Sequence, residues 1–172
     1  LRCRVRATFR RELALAVEER RVTPPVSHPV TLLQGVLKGK GMDAIVQKAT
    51  ELGVSRVFPF FSERTLVKAD EKARADKRRH WEEIARSATK QSDRDRPPEI
   101  FPPVPFSDLL THLKTGEELK VVLWEGEDRQ DLKTILRTES SKGPKVSGIV
   151  GPEGGFAAAE IDAARSAGFL PA

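Results

Sequence analysis

The feature that most restricts the fold is a glycine-rich segment, Gly151-Pro152-Glu153-Gly154-Gly155-Phe156. An apolar run typical of a buried strand, residues 146–150, precedes it, and an alanine-rich segment with helical spacing, residues 157–167, follows it. A strand that enters a helix through three glycines exposes backbone N–H and C=O groups at the carboxyl edge of a sheet, where open α/β sheets bind ligands. The spacing matches neither G-x-G-x-x-G nor G-x-x-x-x-G-K-[ST]. The residues alone leave two interpretations open, a small-molecule site and an ordinary tight turn.

Segments with strand and helix periodicity alternate through the rest of the chain. The predicted strands are residues 30–37, 54–61, 119–124 and 146–150, and the predicted helices are residues 42–52, 70–92, 107–113, 132–137 and 157–167. Such alternation is typical of an α/β domain with a largely parallel sheet. Pro59 lacks an N–H group and marks the end of a strand or an edge strand. Ser107 is the expected N-cap of the third helix.

The second helix carries an apolar stripe on one face, formed by Trp81, Ile84, Ala85 and Ala88. Gln91 falls on the continuation of this stripe, so we predict that its amide points toward the body of the protein.

The start of the chain alternates in the manner of a half-buried strand with a basic outer face. One face is predicted to hold Cys3, Val5 and Ala7, and the other Arg2, Arg4 and Arg6. Residues 13–17 continue as a second strand. Two short strands cannot form a stable domain alone. We therefore predict the end of a small β domain and a linker over residues 1–24, and the main domain over residues 25–172.

Composition limits the classes of partner and site. The net charge of +5 is concentrated in residues 1–40, which carry +6 and favour a polyanionic partner, although a solvated surface is the safer interpretation of any single arginine. A single cysteine, Cys3, excludes an intrachain disulfide, which fits the cytoplasm, and its strand position predicts a core role. The three histidines stand too far apart for a metal site, and no apolar run is long enough for a membrane span.

Four segments, taken together, resemble one known family. They are Gln47 to Val54, Phe61 to Arg64, Gln91 with Arg94 and Pro98 to Ile100, and Gly151 to Phe156 followed by Glu160 and Ile161. Their order and spacing over roughly residues 30–170 resemble those of the RsmE-type 16S rRNA uridine-N3 methyltransferases of the SPOUT superfamily.

The resemblance implies a fold and partners. It implies an α/β domain of SPOUT type, with a mostly parallel sheet and a C-terminal trefoil knot, preceded by a PUA-like β domain that binds RNA. It also implies S-adenosyl-L-methionine as cofactor, 16S rRNA or the small ribosomal subunit as partner, and a homodimer. Residues 1–24 are expected to be a remnant of the PUA-like domain. The segment that closes the knot in the family is expected to be absent from this chain, because it follows the position of residue 172.

The resemblance also implies roles for individual residues. The cofactor pocket is expected to contain Leu123, Trp124, Glu125, Gly151, Pro152, Glu153, Gly154 and Gly155. Glu153 either reaches a ribose hydroxyl or the amino group, or caps the next helix. Gln91 and Arg94 are expected to handle the uracil, with an ion pair to Asp93 or Asp95 as the alternative for Arg94.

RNA contacts are expected from two places, the basic face of the first strand and the end of the second main strand. The candidates are Arg2, Arg4, Arg6, Glu63 and Arg64. A salt bridge between Glu63 and Arg64 is the alternative for that pair.

The expected reaction is methylation of uridine N3, which needs a base or hydrogen-bond donors that stabilise the anion beside the nitrogen. Methylation at C5 would need a cysteine nucleophile, and Cys3 is not expected in the site. Two other functions remain open, a non-catalytic RNA-binding module and a SPOUT methyltransferase with a different RNA target.

Overall fold

A computed structural model describes residues 2–20, 22, 26–64, 70–112, 118–139 and 145–172. The strands are β1 (Arg2–Thr8), β2 (Leu13–Glu19), β3 (Val30–Gly35), β4 (Arg56–Phe61), β5 (Glu99–Ile100), β6 (Val104–Pro105), β7 (Glu118–Leu123), β8 (Lys145–Val150) and β9 (Leu170–Pro171). The helices are α1 (Gly41–Leu52), α2 (Glu71–Gln91), α3 (Phe106–His112), α4 (Leu132–Thr138) and α5 (Ala158–Ser166).

The main sheet is parallel at every pairing within the described residues. Its order is β5-β4-β3-β8-β7-β9, and β6 lies beside the end of β4. The predicted α/β domain with a mostly parallel sheet is therefore confirmed. Because the strands are parallel, their carboxyl ends meet at one edge, and the loops that follow β3, β4, β7 and β8 lie together there.

Helices cover both faces of the sheet, as continuous apolar strands require. On one face, the buried side chains of α1, α2 and α4 pack against residues such as Val57 and Val121. On the other face, α3 and α5 pack against Leu33, Phe60 and Ile149. Among the described residues, no helix combines the length and the apolar character that crossing a bilayer would demand.

The predicted helix boundaries match the structure where a glycine or a capping side chain sets them. Gly53 ends α1 with φ +85°, and the Asp70 carboxylate caps α2 by accepting from the Ala73 N–H at 2.8 Å. Ser107 is not a cap, because α3 already begins at Phe106.

The two-residue strands β5, β6 and β9 were not expected from the sequence. Pro59 lies inside β4, between the residues that pair with β5 and those that pair with β6. Because neither short strand pairs with β4 at Pro59, its missing N–H costs no ladder bond.

The predicted burial of Cys3 is wrong. Strands β1 and β2 form a two-stranded antiparallel sheet, and Cys3 is exposed on it, as is Val5 at 55%. The physical reason is that no other described element of the chain covers the apolar face of this hairpin. The boundary predicted after residue 24 falls among residues 23–25, outside the described residues.

Candidate functional site

A pocket opens at the carboxyl edge of the sheet, between the ends of β7 and β8. Its cavity volume is about 140 Å³, and its lining is Leu123, Trp124, Glu125, Gly151, Pro152, Gly155 and Phe156. Six of the eight residues predicted for the cofactor pocket are among them. The cavity is smaller than the roughly 300–1,000 Å³ of typical small-molecule sites. Its place at the carboxyl edge of a parallel sheet, beside exposed glycine backbone, is what favours a binding site over a tight turn alone.

The glycine loop is held against the neighbouring strand β3. A Cβ added to Gly35 would lie 2.5 Å from the nitrogen of Pro152, so only glycine allows this approach. The buried Gln34 amide donates to the carbonyl oxygens of Gly35 at 3.0 Å and of Gly151 at 3.4 Å. After β3 the chain continues to β4 on one side of this pair of strands, and after β8 it continues to β9 on the other side. The carboxyl ends of β3 and β8 therefore form the topological switch point of the sheet.

Gly155 keeps the pocket open. It has φ +65°, and its N–H donates to the Pro152 carbonyl oxygen at 2.9 Å. A Cβ at Gly155 would lie 3.2 Å from Oε1 of Glu125, inside the space between the two loops. A larger residue would therefore fill the cradle that a ligand needs.

Glu153 ties two loops together, and its predicted contact with a ribose hydroxyl or the amino group stays a prediction. Its Oε1 accepts from the backbone N–H of Lys38 at 3.1 Å, which ties the glycine loop to the loop between β3 and α1. The start of α5 is capped by Glu160 instead, whose Oε2 accepts from the Ala157 N–H at 2.9 Å. The alternative that Glu153 caps the next helix is therefore wrong.

Glu160 is a residue of the site that the predictions missed. The residue is 6% exposed, and its Oε1 accepts from the Glu63 N–H at 2.9 Å. One buried side chain thus joins the loop after β4 to the first turn of α5. The available signal was its position three residues after Ala157, the spacing of a capping box.

Arg64 reaches the glycine loop. Its Nη1 donates to the Gly154 carbonyl oxygen at 2.9 Å, and no ion pair joins Arg64 to Glu63 in the part of the chain that the structure describes. The salt-bridge alternative for this pair is wrong, and Arg64 stands at the mouth of the pocket.

The Trp124 ring forms one wall of the pocket and is fixed on both sides. The guanidinium of Arg165 in α5 lies 5.4 Å from the ring centroid, and a Cβ on Gly126 would lie 2.4 Å from the ring. Arg165 also pairs with Glu127, with Nη2 and Oε2 3.6 Å apart. A ligand in the pocket must therefore change the surroundings of this indole.

We expect Trp124 to report ligand binding by its fluorescence. Titration with S-adenosyl-L-methionine should change the emission of the wild-type protein and leave that of Trp124→Phe nearly constant. The control is built into the chain, since Trp81, the only other tryptophan, is buried on the opposite face of the sheet. An equal response from Trp124→Phe would contradict this placement of the ligand.

Gln91 and Arg94 do not join the pocket within one chain. Arg94 donates from Nε and Nη2 to the Glu51 carbonyl oxygen at 3.0 and 2.7 Å, and Gly53 leaves room for its guanidinium. This contact lies where α1 ends and β4 begins, at the amino edge of the sheet, opposite the pocket. The ion pair of Arg94 with Asp93 or Asp95, the alternative to its predicted role, is absent from the described residues.

The predicted orientation of Gln91 is also wrong. Thr89 continues the buried stripe of α2, whereas Gln91 is exposed. At about 100° per residue, Gln91 lies about 200° around the helix from Thr89 and faces solvent.

The surroundings of Arg94 form an exposed polar cluster on the last turn of α1. Lys48 and Gln47 donate to the Glu51 carboxylate at 2.8 and 2.9 Å, and the hydrogen bond from Lys48, followed by that from Gln47, lowers the pKa of Glu51. The cluster stabilises the end of α1. This structural role explains part of the segment from Gln47 to Val54 that resembles the family.

The arginines of β1 stand apart from the pocket. Arg2, Arg4 and Arg6 are exposed, and Arg4 pairs with Glu18 of β2 at 2.6 Å. Their predicted role in RNA binding stays a prediction.

Comparison with known proteins shows the family to which the chain belongs. The RNA methyltransferase domain family matches residues 24–172. The ribosomal RNA small subunit methyltransferase E of Aquifex aeolicus is 37% identical over 97% of this chain and 69% of that protein. The chain belongs to the ribosomal RNA small subunit methyltransferase E family.

Other members of the methyltransferase E family support the same placement. The protein of Bacillus subtilis is 33% identical over 77% of this chain, which spans 53% of its length. The structure of the Neisseria gonorrhoeae methyltransferase E bound to S-adenosyl methionine has a TM-score of 0.82 and 29% identity over 98% of this chain and 68% of that one. The resemblance predicted from four segments is confirmed.

Proposed function

We propose that this chain carries the catalytic domain of an enzyme that methylates N3 of a uridine in 16S rRNA, with S-adenosyl-L-methionine as methyl donor. The observation that carries the proposal is the pocket between β7 and β8, at the edge where parallel sheets bind ligands. Membership of the methyltransferase E family, with a relative bound to S-adenosyl methionine, supports the choice of cofactor.

The lining residues fit this cofactor. Leu123 and the Trp124 ring offer apolar surface, while the loop from Gly151 to Gly155 brings backbone N–H and C=O groups close to a ligand. The bound cofactor supplies an electrophilic methyl group on a sulfonium. The chain then needs to align the uracil nitrogen with that methyl group and exclude water.

The wider assembly belongs to the same proposal. It includes the C-terminal trefoil knot that the resemblance implies, in a chain whose path from β8 through α5 to β9 crosses β7. The exposed apolar face of the hairpin of β1 and β2 supports its place in a larger PUA-like RNA-binding domain. The homodimer that the resemblance implies is part of the same proposal. The proposed substrate implies a cytoplasmic location.

The test uses the full-length protein and small ribosomal subunits, or their free 16S rRNA, from cells that lack the modification. We expect one methyl group at N3 of one uridine, detected by mass spectrometry of digested RNA and dependent on added cofactor. A methyl group at another atom would instead indicate a SPOUT enzyme with a different target. RNA binding with a steep salt dependence but no turnover would indicate a non-catalytic module.

A further inference from the structure

Two side chains of opposite charge border the mouth of the pocket from different loops. Glu125 follows β7 and Arg64 follows β4. Measured from the Cβ position of Gly155, Oε1 of Glu125 lies at 3.2 Å and Nη1 of Arg64 at 4.0 Å. Both groups therefore face the same small space beside the glycine loop, yet no ion pair joins them within the described residues.

Glu125 differs from the other carboxylates around the pocket. Glu127 pairs with Arg165, Glu153 accepts from Lys38, and the two oxygens of Glu160 accept from backbone N–H groups. The carboxylate of Glu125 has no partner in the part of the chain that the structure describes, and it is exposed. Its capacity to accept a proton or a hydrogen bond is unused.

Arg64 is anchored and still has capacity to donate. One hydrogen bond, from Nη1 to the Gly154 carbonyl oxygen, fixes the guanidinium beside the loop. A guanidinium carries five N–H donors, so most of them remain available to a ligand. The pair thus presents an acceptor and a fixed donor across a few ångströms.

This arrangement matches the imide edge of uracil, in which an N3–H donor stands between two carbonyl acceptors. We propose that the Glu125 carboxylate accepts the N3 proton and that Arg64 donates to a flanking carbonyl oxygen of the same base. The inference rests on the proposed function and deepens it by naming the proton acceptor. It moves the uracil-handling role from Gln91 and Arg94, at the opposite edge, to residues at the pocket.

The proposed step is balanced. The N3–H bond breaks, the proton passes to Glu125, and the electron pair stays on N3 and forms the bond to the methyl carbon of the sulfonium donor. The carbon–sulfur bond breaks and its electron pair stays on sulfur, which leaves a neutral thioether. Arg64 stabilises the negative charge that spreads onto the carbonyl oxygen. Because Glu125 is exposed, it then returns the proton to water.

The test compares Glu125→Gln with Asp128→Asn in the full-length protein. Asp128 lies on the same loop and is exposed, so its variant removes the same charge three residues away. We expect Glu125→Gln to lower kcat by about 10²-fold or more, the range of a lost general base. Its affinity for the cofactor, measured by calorimetry, should stay within twofold of wild type, and Asp128→Asn should change neither quantity.

Two further readouts separate proton transfer from a structural effect. The rate of Glu125→Gln should rise steadily with pH, as hydroxide replaces the missing base, whereas the wild-type rate levels off. Added formate should partly restore the activity of Glu125→Ala.

Opposite results would overturn the inference. A tenfold loss of cofactor affinity in Glu125→Gln, with unchanged kcat and pH profile, would show that Glu125 holds the cofactor instead. Normal turnover in Glu125→Gln would also exclude it as the proton acceptor. A wild-type protein that fails to methylate 16S rRNA would contradict the proposed function itself, which distinguishes that failure from the other two.

Discussion

Gly35→Ala is expected to destabilise the protein and to abolish cofactor binding in the same variant. The new methyl group would lie 2.5 Å from the Pro152 nitrogen, 2.6 Å from Pro152 Cδ and 2.9 Å from the carbonyl carbon of Gly151. All three atoms belong to a backbone or a rigid ring, so the glycine loop must move as a unit. Overpacking of this kind costs about 1–3 kcal/mol, and the displaced loop also closes or distorts the pocket.

The matched control for Gly35→Ala is Gly148→Ala in the adjacent strand β8. A Cβ at Gly148 meets no heavy atom within 4 Å, so this variant should keep both stability and affinity. Thermal unfolding should show a loss of several degrees for Gly35→Ala, from roughly 2–4 °C per kcal/mol at this chain length. Calorimetry should show at least a tenfold weaker affinity for S-adenosyl-L-methionine. Equal behaviour of the two variants would refute the close approach of β3 to the glycine loop.

The elements of the pocket could be predicted from the sequence because their chemistry is local. An apolar run followed by Gly151 to Gly155 encodes a strand that ends in a backbone-exposing loop, and the parallel sheet then fixes the edge on which that loop lies. The same holds for Gly53 and Gly168, whose φ of +85° each ends a helix. Spacing and residue type are enough to predict these strand and helix ends.

Contacts between distant segments could not be predicted in this way. Glu153 binds the N–H of Lys38, 115 positions away, and Glu160 binds that of Glu63, 97 positions away. Nothing in the local pattern of either glutamate indicates which backbone N–H group will lie beside it. These bonds depend on the order of strands in the sheet, which periodicity alone does not give.

Gln91 and Arg94 show a different limit. The segment that contains them resembles the family motif, and the resemblance alone suggested a catalytic role. In the structure Arg94 donates to the Glu51 carbonyl oxygen at the end of α1, one of the groups that every helix terminus leaves without an internal partner, at the edge of the sheet opposite the pocket. A motif match therefore located the family correctly without locating the residues relative to the pocket.

Glu160→Ala is expected to lose more stability than any exposed carboxylate substitution in this chain. It removes the acceptor of two backbone N–H groups, those of Glu63 and Ala157. A buried donor without a partner costs about 1–3 kcal/mol, and these two donors are only partly buried, so the two losses together should cost about 2–3 kcal/mol. Glu160→Gln keeps the size and one acceptor oxygen, and should show an intermediate loss. Both should appear in urea unfolding as a lower midpoint.

The same substitution should weaken cofactor binding, because Glu160 joins two loops that border the pocket. One is the loop of Arg64, which holds the Gly154 carbonyl oxygen, and the other leads from the glycine loop into α5. Asp162→Ala is the matched control, since Asp162 is exposed two residues further along the same helix and should change stability by less than about 0.5 kcal/mol. If Glu160→Ala unfolded at the midpoint of Asp162→Ala and bound the cofactor equally well, the carboxylate would not link the two loops. A loss of affinity that follows the loss of these two hydrogen bonds would show that the pocket depends on a contact between segments far apart in the chain.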